Sequence, residues 1–173
     1  MKKKFITPIL VLTVICLAVS GALALMNRVT GPIIEAAAAD RAEEAMRAII
    51  PDATGFEQID TDGLPATVEE AYVTENSVGY IFIAVVNGYG GEIRVICGMD
   101  MEGRLISAST LQHSETKGIG TILEDASFLG RFEGKDSRLD GVSTVTGATI
   151  STSAFINAVK DVFAAFETVR GVG

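Results

Sequence analysis

The sequence predicts an α+β protein: an N-terminal transmembrane helix followed by an antiparallel sheet packed by helices. Three observations lead there. Residues 6–26 carry no charge, several β-rich runs between residues 70 and 111 are separated by turn residues, and residues 151–169 show a helical apolar period. A length of 173 residues fits one domain plus an accessory segment, and 48% hydrophobic with 21% charged residues excludes a disordered chain. Lys and Arg number 14 against 22 Asp and Glu, a formal net charge of −8, with no basic cluster beyond the first four residues. Nucleic acid is therefore excluded as a partner, because phosphate binding relies on clustered Lys and Arg. One His and two Cys leave too few ligands for a structural zinc site.

The run from Ile6 to Met26 is long enough, at about 1.5 Å per residue, to span a hydrocarbon core of roughly 30 Å. Ala22-Leu23-Ala24 resembles a signal-peptidase site. A signal h-region, however, covers only about 7–15 residues and leads into a polar segment, so an uncleaved anchor is the better reading. Lys2, Lys3 and Lys4 precede the span and Arg28 follows it, which predicts a cytoplasmic N-terminus and an exported remainder. Cys16 falls inside this span and Cys97 in a predicted strand, so both are expected to be free and buried.

Thr30-Gly31-Pro32 predicts a break in the helix, after which residues 33–50 form a second, Ala-rich helix ended by Pro51. Its segment Ala36–Ala39 offers a thin surface for another membrane subunit or for the domain itself. The organisation expected is thus 1–27 cytoplasmic N-terminus and transmembrane helix, 28–51 juxtamembrane helix, and 52–173 extracytoplasmic domain. Residues 55–77 look irregular at first, with a short strand around Glu70–Thr74. Residues 79–86 are so uniformly apolar that they predict a central strand covered on both faces. The glycine-rich turn at 87–91 leads into a strand at 92–97, with Ile93, Val95 and Cys97 on one face, and a turn at 99–103 leads into a strand at 104–111. A polar loop over 112–121, a short helix at 122–129 and a loop over 133–149 come next. In the last helix Phe155, Val159, Val162, Phe163 and Phe166 form an apolar stripe that should pack on the sheet, leaving loops 112–121 and 140–150 free to converge at its start.

Small residues crowd that start, in Thr146-Gly147-Ala148-Thr149-Ile150-Ser151-Thr152-Ser153. Gly147 and Ala148 allow close approach of another molecule, and a helix N-terminus stabilises a phosphate to which Thr149 can offer its hydroxyl. From composition alone, an N-cap role for Thr149 or Ser151 is the better reading of the same residues. His113 and Glu115, two apart at a strand end, point to one side and suit loop hydrogen bonding better than a metal, given the single His. No spacing supports a Ser-His-Asp arrangement, and no residue is assigned a catalytic role.

The sequence TGAT at 146–149 resembles the [ST]-G-A-[ST] flavinylation motif of the FMN-binding domains in the G subunit of the Rnf electron-transport complex and the C subunit of the sodium-translocating NADH:quinone reductase. GYGGEIRV at 88–95 is similar to the family's glycine-rich hairpin, and HSETKGIG at 113–120 to its H-x-E-T-P-G-L-G loop. The anchor running into Asn27-Arg28-Val29-Thr30-Gly31-Pro32-Ile33 is like that of the Rnf G subunit, and the ordered set is more specific than any one motif. The resemblance implies FMN held covalently by a phosphoester at Thr149, with Thr146, Gly147, Ala148, His113, Glu115, Thr116, Gly118 and Gly120 around it. It also implies a redox subunit of an ion-translocating oxidoreductase that couples electron transfer between ferredoxin and NAD to Na+ or H+ transport. The implied partners are membrane, iron-sulfur and flavin subunits of an Rnf-type complex, and a flavin transferase during maturation. A C-type quinone-reductase subunit and a non-redox anchoring or assembly subunit are the alternatives. Two positions depart from the family pattern. Ser143 stands where Asp is usual six residues before the acceptor, and Lys117 replaces a proline, placing a cation that can meet a flavin carbonyl, a phosphate or simply water.

Overall fold

A computed structural model describes residues 2–116, 118 and 120–171; Lys117 lies outside the described residues. The chain divides between Arg41 and Ala42 into two units. In the first, helix α1 (Lys2–Ile49) begins. Among the described residues it is the one helix long and apolar enough to cross a membrane, and an 18-residue window within Pro8–Ile49 reaches a mean hydropathy of 2.7. Ile9, Leu10, Leu17, Leu23 and Leu25 are all exposed, as lipid-facing residues must be in a chain taken without its bilayer. Cys16 is exposed on this helix too, contrary to its expected burial, because none of the described residues packs over it.

The break expected at Thr30-Gly31-Pro32 does not occur, and α1 runs through it. Proline removes one N–H donor and crowds the preceding turn, which bends or weakens a helix without forcing it to end when strong helix formers lie on both sides. Thr30 Oγ1 also donates to the Met26 carbonyl at 2.9 Å, a bond that keeps its polar group within the helix. Ala36–Ala39 remain exposed.

The second unit contains a five-stranded antiparallel meander in the order β1-β2-β3-β4-β5. Its strands are β1 (Phe56–Ile59), β2 (Val68–Thr74), β3 (Gly79–Asn87), β4 (Glu92–Asp100) and β5 (Leu105–His113). β1 lies where the sequence looked irregular. It is a four-residue edge strand whose Glu57 and Gln58 are exposed, so it has too few apolar positions to show a period. β2 begins two residues earlier than expected, and β4 and β5 run on to Asp100 and His113.

The central strand β3 is covered on both faces, as its composition predicts. Phe82 and Ala84 enter a core shared with Ile93, Val95 and Cys97 of β4. Ile81 and Ile83 enter a second core with Ile96, Met46 and Ile50, so the last turns of α1 from Ala42 onward cover that face. Burial pushes the Cys97 thiol up, which keeps it protonated and unreactive. The first face is covered by α3 (Thr149–Gly171), where Phe155, Val159, Val162, Phe163 and Phe166 are all buried. Each such side chain removed from water contributes about 1.5–3 kcal/mol, so this stripe fixes where the start of α3 must lie.

Between β5 and α3 the expected single helix is two pieces, a 3-10 turn at Gly120–Glu124 and α2 (Ala126–Leu129). Asp125 separates them by capping α2. Its side chain accepts from Ser127 N at 2.7 Å, and this bonding holds its carboxyl below the usual carboxylate range.

Candidate functional site

The start of α3 is built by a turn and a buried hydroxyl. Ala148 N donates to the Val145 carbonyl at 3.0 Å, closing a turn in which Gly147 takes φ 90°. A side chain at that angle is strained, whereas glycine adopts it freely. Thr152, fully buried one turn into the helix, accepts from Val145 N at 3.2 Å and donates to the Ala148 carbonyl at 2.8 Å. The turn is thereby tied to the helix it precedes.

Thr152 N donates to the Ala148 carbonyl at 2.9 Å, so Ala148 occupies the cap position and Thr149, Ile150 and Ser151 form the first turn. The N-cap explanation for Thr149 and Ser151 does not hold. Helix geometry offers no acceptor for the amides of that first turn, and the helix dipole adds positive potential there. Thr149 is exposed, and its hydroxyl has only a long contact to the Val145 carbonyl, 3.5 Å. Ser151 Oγ is buried without a hydrogen-bond partner among the described residues. A cleft of about 310 Å³ opens at this point, lined by Tyr89, Gly147, Ala148, Thr149, Ile150 and Ser151.

Tyr89 reaches the cleft from the hairpin between β3 and β4, whose Gly88 N donates to the Gly91 carbonyl at 2.8 Å. The described residues of 113–120 stand behind that hairpin. Glu115, 8% exposed, accepts from Tyr89 N at 2.8 Å through Oε1 and from Gly90 N at 3.2 Å through Oε2. His113 Nε2 is 3.1 Å from Glu124 Oε1, and its Nδ1 accepts from Glu115 N at 3.2 Å. Thr116 offers its carbonyl to Gly120 N at 2.9 Å. A side chain on Gly120 would press on Glu115 Cβ at 2.5 Å and His113 Cε1 at 2.8 Å, whereas one on Gly118, at φ 100°, would meet nothing within 4 Å.

The sequence-named residues thus separate. Thr146 lies in the turn, Gly147, Ala148 and Thr149 line the cleft, Glu115 holds the neighbouring hairpin with His113 and Gly120 packed beside it, and Thr116 and Gly118 touch neither cleft nor hairpin among the described contacts. Tyr89, Ile150 and Ser151 also line the cleft, although the sequence singled out none of them as ligand residues. The available signal was the placing of Ile150 and Ser151 directly after Thr149, and an aromatic ring inside a glycine-rich turn.

The family described as FMN-binding domain matches residues 88–164, a range that encloses the hairpin, the 113–120 loop and the Thr146–Thr149 turn. The G subunit of the ion-translocating oxidoreductase complex of Methanosarcina acetivorans is 31% identical over 172 residues, which cover 90% of this chain and 92% of the relative. The chain belongs to the family of G subunits of ion-translocating oxidoreductase complexes. The G subunit of the proton-translocating ferredoxin:NAD(+) oxidoreductase complex of Clostridium ljungdahlii is 26% identical, covering 92% of this chain and 90% of the relative. The Na(+)-translocating counterpart in Acetobacterium woodii is 25% identical, covering 87% and 86%.

The residues at the cleft fit the FMN that this family's domain binds. A buried hydroxyl without a partner, first-turn amides without helical acceptors, and open space around Gly147 provide for a phosphate and close approach. Tyr89, 65% exposed, and Ile150, 57% exposed, provide apolar surface for a flat ring.

Proposed function

We propose that this chain is the electron-carrying subunit of an Rnf-type membrane complex, holding FMN through a phosphoester to the Thr149 hydroxyl. The observation that carries this reading is the position of Thr149: exposed, in the first turn of α3, and on the wall of the cleft. When bound, the FMN supplies the redox chemistry. The chain supplies the rest. Thr149 Oγ1 gives the ester oxygen, the amides of the first turn and the helix dipole stabilise the phosphate charge, and Gly147 leaves room for its approach. Thr152 holds the Val145–Ala148 turn against the helix, which fixes where that oxygen stands.

The redox partners are the iron-sulfur, flavin and membrane subunits of the complex, which passes electrons between ferredoxin and NAD and transports Na+ or H+. The names of the relatives include both ions, so the family supports either. A flavin transferase attaches the group, acting on an exposed loop that carries Ser143 where Asp is usual. The span within α1 anchors the chain in the cell membrane, with residues 1–27 as cytoplasmic N-terminus and span, and the domain outside.

Flavin fluorescence of the full chain in a denaturing gel tests the central claim. A fluorescent band at the chain's mass is expected when it is made with its transferase. A dark band would overturn covalent attachment, and a dark band together with no flavin released from the native assembled complex by denaturation would indicate a non-redox anchoring subunit.

A further inference from the structure

The three tyrosines differ in what their rings do. Tyr72 donates its hydroxyl to Glu70 Oε2 at 2.6 Å, and Tyr80 packs against Phe82 and Phe166 with centroids 6.3 and 5.5 Å apart. Tyr89 has neither kind of partner among the described residues, although it is a large ring exposed beside a cleft. Exposure of that kind on a glycine-rich turn is costly to order, because flexible backbone leaves the ring many positions. The turn is nevertheless held. Glu115 receives both the Tyr89 and Gly90 amides, and a side chain on Gly90 would meet the Ser114 carbonyl at 2.6 Å and Glu115 Cα at 3.0 Å. A buried carboxylate spent on two backbone amides serves to fix the segment that carries those amides.

We infer that Glu115 is a positioning residue, which holds the Gly88–Gly91 hairpin so that the Tyr89 ring lies against the flat ring system of the flavin attached at Thr149. This rests on the attachment reading above and adds to it a ring contact and the residue that maintains it. Glu115 acts through Tyr89, not on the flavin. Aromatic faces pack against a flat π-system with little entropic cost once their backbone is fixed. Contact with a phenol also quenches flavin emission by reversible electron transfer.

The full chain, made with its flavin transferase, is compared with Tyr89→Leu, Tyr89→Phe, Glu115→Gln and Glu115→Ala. Emission is read per covalently attached flavin, and ring exposure is read by iodide quenching. Tyr89→Leu should raise emission severalfold and open the ring to iodide. Tyr89→Phe should raise emission while restoring the shielding, because it keeps the aromatic face and loses the phenol. Glu115→Ala should reproduce the Tyr89→Leu result, and Glu115→Gln, which keeps one carbonyl acceptor, should fall between it and wild type. Combining Glu115→Ala with Tyr89→Leu should add nothing further. Should Glu115→Ala not fold, Glu115→Gln alone and combined with Tyr89→Leu carries the same comparison.

Unchanged emission and iodide quenching in Tyr89→Leu overturns the ring contact. A further change when a Glu115 substitution is added to the Tyr89→Leu variant overturns the positioning role and makes Glu115 a direct flavin ligand. A wild-type chain lacking the FMN mass at Thr149 overturns the attachment reading, and this one with it; that result differs from the other two because it is seen before any substitution is made.

Discussion

Gly147 in the turn at Thr146–Thr149 and Gly120 in the loop at 113–120 answer to different constraints, although Gly118 of that loop, at φ 100° with open space where a Cβ would stand, behaves as Gly147 does. Gly147 is set by its backbone: φ is 90°, and an added Cβ would meet nothing within 4 Å. Gly120, like Gly88 and Gly90 in the hairpin, is set by protein neighbours that an added Cβ would strike. One turn leaves space open toward the cleft, whereas the other assembly fills its space with Glu115 and His113. Open space beside a backbone position that favours glycine suits a bound group, and filled space suits a brace. On the attachment proposed above, the first motif would touch the ligand and the second would support the hairpin beside it.

The largest effect expected from this comparison is at Thr149. An ester requires a hydroxyl oxygen, and Thr149→Val keeps the shape while removing it. We predict complete loss of covalent FMN and of electron transfer through the subunit, with Thr149→Ser retaining both at least in part. The fold should survive, because Thr149 is exposed and makes no short hydrogen bond through its side chain. The mass of the peptide spanning 139–160 decides the point. An FMN mass retained in the Val variant, or placed on Thr146 or Ser151, would falsify the assignment.

Next in size are two alanine substitutions that should both destabilise, for unlike reasons. Gly90→Ala drives a methyl toward the Ser114 carbonyl, and overpacking of this kind costs about 1–3 kcal/mol. Gly147→Ala meets no atom, and its cost of about 1–2 kcal/mol is the strain of a side chain at positive φ. Denaturant unfolding of the flavin-free chain measures both. If the brace is separate from the attachment turn, Gly90→Ala should leave the mass of Thr149-bound FMN in place, whereas Gly147→Ala should slow its attachment. Equal attachment rates for the two variants would erase the distinction.

How far the sequence foretold this arrangement depended on how many residues carried each signal. The stripe from Phe155 to Phe166 and the apolar run at 79–86 repeat over enough positions to define a face, and both lie where the period placed them. β1 has four residues with two exposed between its ends, and a strand that short has no period to read. Gly31-Pro32 suggested a break because local propensity dominates a reading made a few residues at a time, whereas the helix is supported on both sides. At the site, Thr149 was legible from its motif. The task of Glu115 was not, because its partners are backbone amides more than twenty residues away, and an amide leaves no mark in a sequence. Tyr89 was hidden for the same reason, since its place at the cleft depends on the fold joining a hairpin to a helix start.

The smallest expected effect lies at the outer edge of the brace. His113 Nε2 faces Glu124 Oε1 at 3.1 Å, and the Glu124 side chain is 65% exposed. Pairs of that exposure are screened by water and salt and contribute about 0–1 kcal/mol. His113 has a second anchor, since its Nδ1 accepts from Glu115 N at 3.2 Å, so removing Glu124 does not free the ring. Glu124→Ala should therefore shift stability by no more than about 0.5 kcal/mol, the usual range for a surface change. Flavin attachment and emission should match wild type. The value of the variant lies in its contrast with Glu115→Ala: both remove one carboxylate from the same loop region, but only Glu115 holds the hairpin amides. Measured side by side by denaturant unfolding and flavin emission, equal responses would mean that net charge near the cleft matters and the position of the hairpin does not. A flat response at Glu124 with a severalfold rise in emission at Glu115 would locate the effect in those two hydrogen bonds.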